Sequence, residues 1–210
     1  MVFFGHNIKF NIYEKSLFLG LIFSILFSFI NFSAKCNKIS EKIFRLHIIA
    51  NSDSEDDQSL KIKIRDDIIK YFSNKKFKSL EDAQNYASKN VEEIKKICEN
   101  RIKNEHFNYN VKIEVCKNEF RNRKYDSIVI PAGTYESLRI IIGEGNGKNW
   151  WCILFPQMCI PAAEDCNVDP CYDLPNDEKN IIENDEKYKV EFKIIDIFQS
   201  IHEFILSIFF

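Results

Sequence analysis

Three side chains in this sequence have the types that acid–base and electrostatic catalysis needs. They are His47, Glu136 and Arg139, which would have to lie near one another in the fold. Together they would suit an exported hydrolase that acts on the cell wall or on a peptide. No nucleophile elbow accompanies them, and nothing in the sequence places a histidine beside a serine or cysteine. We keep the hydrolase as the alternative function and predict no catalytic residues.

Two short motifs resemble ligand sites but lack necessary residues. The glycine-rich run at 143–148, GEGNGK, is one residue too short for a phosphate-binding loop, and Asn149 stands where a serine or threonine would hold magnesium. His202 and Glu203 begin like a zinc-protease helix, but Leu206 occupies the place of the second histidine. We predict neither a metal nor a cofactor.

The cysteines favour disulfides over a metal site. Cys152, Cys159, Cys166 and Cys171 lack the close pairs of a zinc ribbon, and an oxidising compartment permits disulfides. A strand that ends at Pro156 can turn back within a few residues, so we predict that Cys152 and Cys159 can form a bridge. Cys98 lies on the apolar stripe of a predicted helix and is interpreted as a packing residue.

Length and charge narrow the class of protein. A chain of 210 residues, less an apolar N-terminal segment, suits one domain. The net charge of −2 and the interspersed acids and bases lack the basic stripe of a nucleic-acid-binding protein, so no nucleic-acid partner is expected. The oligomeric state is left open.

The N-terminal segment predicts a transmembrane anchor or a signal sequence. Residues 16–34 carry no charge and are just long enough to cross a bilayer as a helix. No small-x-small cleavage site follows, so an uncleaved anchor is slightly favoured. Lys35, Lys38 and Lys42 after the segment outnumber Lys9 and Lys15 before it, and charge alone leaves the topology open.

The pattern of the folded part predicts an α+β domain with a mainly antiparallel sheet, covered by two amphipathic helices. Alternation predicts strands at 44–50 and 111–116. Capping residues with apolar spacings of three and four predict helices from about 55 to 72 and from 79 to 102. The runs at 135–142 and 150–155 predict an antiparallel hairpin around the glycine-rich turn. The predicted core consists of Leu46, Ile48, Ile64, Ile68, Val91, Ile94, Val111, Ile113, Val115, Ile140, Leu154 and Phe155.

The C-terminal part is predicted to be less compact. Residues 157–186 read as an acidic loop, Val190, Phe192 and Ile194 suggest a last strand, and 197–210 have the spacing of an apolar helix. The predicted division is therefore a signal or anchor at 1–38, an extracytoplasmic globular domain at 39–196, and the helix at 197–210. That helix offers a third interpretation, a structural protein of the membrane surface.

Two long stretches resemble the stage II sporulation protein R family. They are FRLHIIANSDSEDDQSLKIKIRD at 44–66 and PAGTYESLRIIIGEGNGKNWWCILFPQMC at 131–159, accompanied by the apolar N-terminal segment. The resemblance implies a protein made in the forespore that acts between the two septal membranes. There it would activate a membrane-embedded aspartic protease, stage II sporulation protein GA, so that the sigma-E precursor is processed in the mother cell.

The resemblance supplies no catalytic residues, so it implies an interaction protein and not an enzyme. Arg45, His47, Asn51 and Asp53 are positions that match the family's motifs. We expect the predicted hairpin to contact the protease, because adjacent tryptophans on opposite faces offer more aromatic surface than one core layer needs. The partner-binding candidates are Tyr135, Glu136, Arg139, Trp150 and Trp151.

Overall fold

A computed structural model describes residues 11–125, 128–156, 176–183, 187–195, 197 and 200, with only the backbone for 22, 25, 26, 28, 29, 31, 125, 128 and 176–179. The predicted C-terminal helix lies almost entirely outside these residues, as does much of the predicted acidic loop. The helices are α1 (Ile12–Ser40), α2 (Glu55–Ser73), α3 (Leu80–Lys89), α4 (Val91–Asn104) and α5 (Asn176–Glu183). The strands are β1 (Phe44–Ile49), β2 (Val111–Phe120), β3 (Arg123–Tyr125), β4 (Ile128–Ile130), β5 (Gly133–Ile142) and β6 (Asn149–Phe155).

The main sheet is mixed, with strand order β2-β5-β1-β6. β1 runs parallel to β5, whereas the β2–β5 and β1–β6 pairs are antiparallel. The α+β class is confirmed, but the predicted hairpin between 135–142 and 150–155 is wrong, because β1 lies between its two strands. All six residues of β1 are buried, and a strand that is buried on both faces is accommodated best inside a sheet.

Three helices cover one face of this sheet. α2, α3 and α4 form the layer, and their apolar stripes pack against alternate residues of the strands. The predicted single helix at 79–102 is wrong, since it breaks at Asn90 into α3 and α4. The Asn90 side chain donates to the Tyr86 carbonyl at 2.7 Å, a local bond that competes with helix continuation.

The predicted core is largely confirmed. Nine of its twelve members are buried: Leu46, Ile48, Ile64, Ile68, Ile94, Val111, Ile140, Leu154 and Phe155. Val91, Ile113 and Val115 are partly buried. Cys98 is fully buried in the same cluster, which confirms its role in packing.

A second apolar cluster covers part of the opposite face. The end of α1 contributes Phe32, Cys36 and Ile39, α5 contributes Ile181 and Ile182, and Phe192 joins them. Residues 189–195 are helical, so the predicted strand around Phe192 is wrong. Tyr188, Phe192 and Ile195 all pack in this cluster at helical spacing, which the alternation of 190, 192 and 194 concealed.

The structure describes only part of the predicted acidic loop and of the predicted N-terminal anchor or signal. Part of the predicted acidic loop is α5, and 157–175 and 184–186 lie outside the described residues. In the described portions of the chain, no helix combines the length and apolar character needed to cross a membrane. The anchor or signal at 1–38 therefore stays a prediction.

Candidate functional site

Four polar or aromatic side chains form a row across the whole main sheet. Glu114 on β2 is the register partner of Arg139 on β5, Arg139 of His47 on β1, and His47 of Trp151 on β6. We call these four residues the cross-strand row. It lies on the face opposite the α2–α4 layer, and with neighbouring strands about 4.8 Å apart its Cα atoms span about 14 Å.

His47 is the buried centre of the row. Its ring stacks on Trp151 with centroids 3.6 Å apart and an interplanar angle of 18°, and its Nε2 hydrogen-bonds Asn149 Oδ1 at 2.9 Å. Burial lowers the pKa of His47 to about 4, and the positive charges of Arg139 and Arg45 act in the same direction, against the hydrogen bond to Asn149. The imidazole is therefore neutral at physiological pH and unsuited to general-base work near pH 7.

Arg139 and Glu114 supply the charge of the row. Arg139 Nη1 lies 3.5 Å from Glu114 Oε2, whereas Lys112 Nζ approaches the other oxygen, Glu114 Oε1, to 2.6 Å. The hydrogen bond from Lys112 is the main reason that the pKa of Glu114 is lowered. Arg139 is partly exposed, with 33% of its side chain accessible. The row thus presents a cation and an aromatic ring to solvent.

Arg45 and Tyr135 lie on the same face of the sheet as the row, but in the interior. Arg45 is two residues from His47 along β1, and Tyr135 is four residues from Arg139 along β5. Both are fully buried, and the Arg45 guanidinium lies 4.0 Å from the Phe120 ring centroid and 5.0 Å from that of Tyr135. The Tyr135 hydroxyl donates to the Pro131 carbonyl at 2.6 Å. Tyr135 therefore supports the fold from inside and offers no side-chain surface to a partner.

Glu136 does not join His47 and Arg139. Successive residues of a strand face opposite ways, so Glu136, three positions from Arg139, lies on the other face of β5. Its carboxylate lies 3.8 Å from Lys117 Nζ. The three residues of the hydrolase alternative are thus divided between the two faces of the sheet.

The two tryptophans also divide between the faces, as their positions require. Trp150 packs against the α2–α4 side, where the Arg65 guanidinium lies 4.4 Å from its ring centroid. Trp151 lies on the row side and meets the edge of Phe120 at 4.8 Å. Both are partly buried. The prediction that the two tryptophans face opposite ways is confirmed, but the sequence did not identify which one lies on the face with the row.

Asn51 and Asp53 hold the glycine-rich loop in place. The Asn51 side chain accepts from the Glu144 amide at 3.0 Å, and Asp53 accepts from the Lys148 amide at 2.7 Å. The backbone carbonyls of Ala50 and Asn51 accept from Gly147 and Asn146. These bonds join the two stretches that carry the family resemblance, so Asn51 and Asp53 have a structural role here.

Cys152 is disulfide-bonded, while Cys36, Cys98 and Cys116 are free thiols. Cys159, the predicted partner of Cys152, lies outside the described residues, and the pairing stays a prediction. Among the residues that the structure describes, no group of three or more histidine, cysteine or acidic side chains could hold a metal ion.

Sequence reasoning missed Glu114, Lys112 and Asn149 as members of this surface. Glu114 and Lys112 alternate with the apolar residues of β2, which already marked one exposed face of that strand. Their proximity to Arg139 depends on the β2–β5 register, which only the structure supplies.

Comparison with known proteins identifies the family. The family model for stage II sporulation protein R matches residues 40–165. This chain belongs to the stage II sporulation protein R family. It is similar to the stage II sporulation protein R of Bacillus subtilis (strain 168), with 39% identity over 123 residues, 58% of this chain and 55% of the relative. The chain thus matches about half the length of that relative. No protein of solved structure matches it.

The matched region contains the whole cross-strand row and the glycine-rich loop. Members of this family, including the relative from Bacillus subtilis, are named as sporulation proteins. The chain is accordingly a sporulation protein by family, with its candidate surface inside the shared domain.

Proposed function

We propose that this protein is an extracytoplasmic signalling protein that activates the membrane-embedded aspartic protease, stage II sporulation protein GA. Activation would lead to processing of the sigma-E precursor in the mother cell. Family membership supports the sporulation role. The cross-strand row supports binding to the protease as the mode of action, because a partly exposed arginine and a partly exposed tryptophan lie on one sheet. Arginine and tryptophan are the residue types that dominate binding energy at protein interfaces.

The geometry favours binding over the hydrolase alternative. His47 is neutral and engaged by Asn149, and Glu136 lies on the other face of the sheet. A hydrolase would need an acid or base within hydrogen-bond reach of a shared reacting atom. No such arrangement exists for these three residues, and the row instead resembles a recognition surface.

The proposed location is the space between the forespore and mother-cell membranes, with the domain anchored or secreted. The N-terminal part of α1 exposes large apolar side chains, a surface that is unusual for a helix in water and that supports contact with a membrane. The exposed side chains are Ile12, Tyr13, Leu17, Phe18, Leu19, Leu21, Phe23, Phe27 and Ile30.

Reconstitution in a non-sporulating host tests this function. The full chain, directed to the extracytoplasmic side, is produced together with the protease and the sigma-E precursor, and precursor cleavage is followed by immunoblotting. We expect cleavage only when the chain and the protease are both present. Replacing the catalytic aspartates of the protease should abolish it. Equal cleavage without the chain, or none with it, would contradict the proposed function.

A further inference from the structure

Two buried polar atoms of the cross-strand row have no hydrogen-bond partner among the described residues. They are Nδ1 of His47 and Nε of Arg139. The two residues are register partners on parallel neighbouring strands, so the unpaired atoms belong to adjoining side chains. Buried polar atoms in native proteins are nearly always paired, and each exception calls for an explanation. Because Trp150 on the other face also has such an atom, the position of these two matters: they adjoin on the face of the sheet where Arg139 is partly exposed.

The positive charge of Arg139 is only weakly compensated. Its ion-pair contact is the 3.5 Å approach to Glu114, whose other oxygen is held by Lys112 at 2.6 Å. Two cations therefore share one carboxylate, and His47 adds a neutral ring. A guanidinium has a planar fork of donors that suits a carboxylate held by two parallel hydrogen bonds. Glu114 does not provide this geometry.

The surroundings of Arg139 are partly apolar. In the next row of the sheet, Ile141 and Ile49 are register partners, and Ile141 is partly exposed. Trp151 is partly exposed two strands away from Arg139, a separation of about 10 Å between backbones. A cation beside an apolar and aromatic surface is complementary to a protein segment that carries an acidic residue and a nearby apolar residue.

We propose that the cross-strand row binds an acidic segment of the partner protease, with an aspartate or glutamate carboxylate on Arg139 and an apolar side chain on Trp151. This inference rests on the proposed function, because the partner is the protease named there. The positive charge of Arg139 favours an acidic segment as the ligand. The Trp151 ring favours a protein over a small anion, because a protein can also place an apolar side chain on it. The bound carboxylate would offer the accessible part of the Arg139 guanidinium the two-oxygen acceptor that Glu114, at 3.5 Å from one nitrogen, does not provide.

Binding of the full chain to the detergent-solubilised, immobilised protease tests the proposal. We expect Arg139→Gln to weaken binding about 30-fold or more, because truncating one partner of a hydrogen-bonded charge pair that binding buries costs about 2 kcal/mol or more. Arg139→Lys should recover only part of this, because an ammonium cannot replace the planar fork. Lys96→Gln is the matched control: it removes one positive charge from an exposed position on α4, in the opposite layer. It should change affinity less than twofold.

The outcomes distinguish the two proposals. If the wild-type chain does not bind the protease, both fail. If it binds and Arg139→Gln binds equally well, only the role of the row is overturned. An equal loss for Arg139→Gln on phosphatidylglycerol vesicles without protease would overturn the protein partner in favour of a lipid headgroup. A fall in the melting temperature of Arg139→Gln with unchanged affinity would show that Arg139 stabilises the fold, and it would overturn its role in binding.

Discussion

At the scale of single residues, His47 shows how the row combines burial with charge. Arg139 is its register partner on β5, and Arg45 lies two residues before it on β1. The ring stacks on Trp151 and keeps one hydrogen bond to Asn149. Burial and the two arginines together outweigh that hydrogen bond, so the pKa falls to about 4. Protonation of His47 would place a third cation in this region, and the folded state resists it.

This pKa makes stability depend on pH in a defined window. The ordinary pKa of 6.5 applies to the unfolded chain and about 4 to the folded protein, so between these values the unfolded chain binds the extra proton. His47 therefore does not lower the free energy of unfolding above about pH 6.5. As the pH falls from there to about 4, it lowers that free energy progressively, by up to about 3 kcal/mol. We expect His47→Gln to lose this part of the pH dependence in denaturant unfolding between pH 4 and 7.

His106→Asn provides the control for that measurement. His106 is exposed and has a φ of 64°, a conformation that asparagine tolerates. This variant should keep the pH dependence of the wild type. If His47→Gln and the wild type lose stability equally on acidification, His47 is not the group responsible.

At the scale of elements, the contact between the β1–α2 connection and the glycine-rich loop fixes the sheet topology. The loop carries the chain from β5 past the end of β1 to β6, and its amides bond to residues that follow β1. A Cβ added at Gly147 would lie 2.2 Å from the Ser52 carbonyl oxygen. The close approach of two backbones requires a glycine there.

We expect Gly147→Ala to destabilise the protein by about 2–3 kcal/mol, because the backbone of Ser52 must move to admit the methyl group. Gly133→Ala is the control, since its Cβ would meet the Tyr135 ring at an ordinary 3.6 Å. That control should change the free energy of unfolding by less than about 1 kcal/mol. Urea unfolding of both variants measures the difference, and equal effects would show that the loop contact does not control stability.

The sequence predicted these elements better than their arrangement. Capping residues and apolar spacing identified α2 and the faces of β1 and β2, because those signals are local. The hairpin prediction failed because strand pairing is non-local: the glycine-rich run is compatible with a tight turn, and only the buried pattern of β1 shows that another strand must separate β5 from β6. The break at Asn90 was missed because the apolar spacing continues across it.

For the candidate site, too, the sequence predicted the members better than their arrangement. His47, Arg139 and Trp151 were singled out from separate stretches, and the register brings them into one row. Tyr135 and Glu136 were grouped with Arg139 by proximity in sequence, but Tyr135 is buried behind the row and Glu136 faces the opposite layer. Proximity along a strand does not predict a shared surface, because alternate residues face opposite ways.

At the scale of the whole molecule, the sheet has one face closed by three helices and another that is only partly covered. The second apolar cluster covers the region around Tyr135 and Ile153 and also contacts Trp151 at one end of the row, whereas Arg139 is partly exposed. A sheet fixed by a helical layer on one side holds the other side rigid, which limits the entropy lost when a partner binds. This arrangement suits a protein whose task is recognition.

Precursor processing with Trp151→Ala tests most directly whether this face of the sheet contacts the protease. We expect sigma-E precursor processing to fall at least about tenfold, because an interface tryptophan that anchors binding contributes about 2 kcal/mol or more. Phe107→Ala is the matched control: this partly buried aromatic ring stacks on Tyr109, with centroids 5.3 Å apart, and packs on the helix side. It should leave processing nearly unchanged, with both variants folded by circular dichroism. Full processing by folded Trp151→Ala would contradict the assignment of the binding surface.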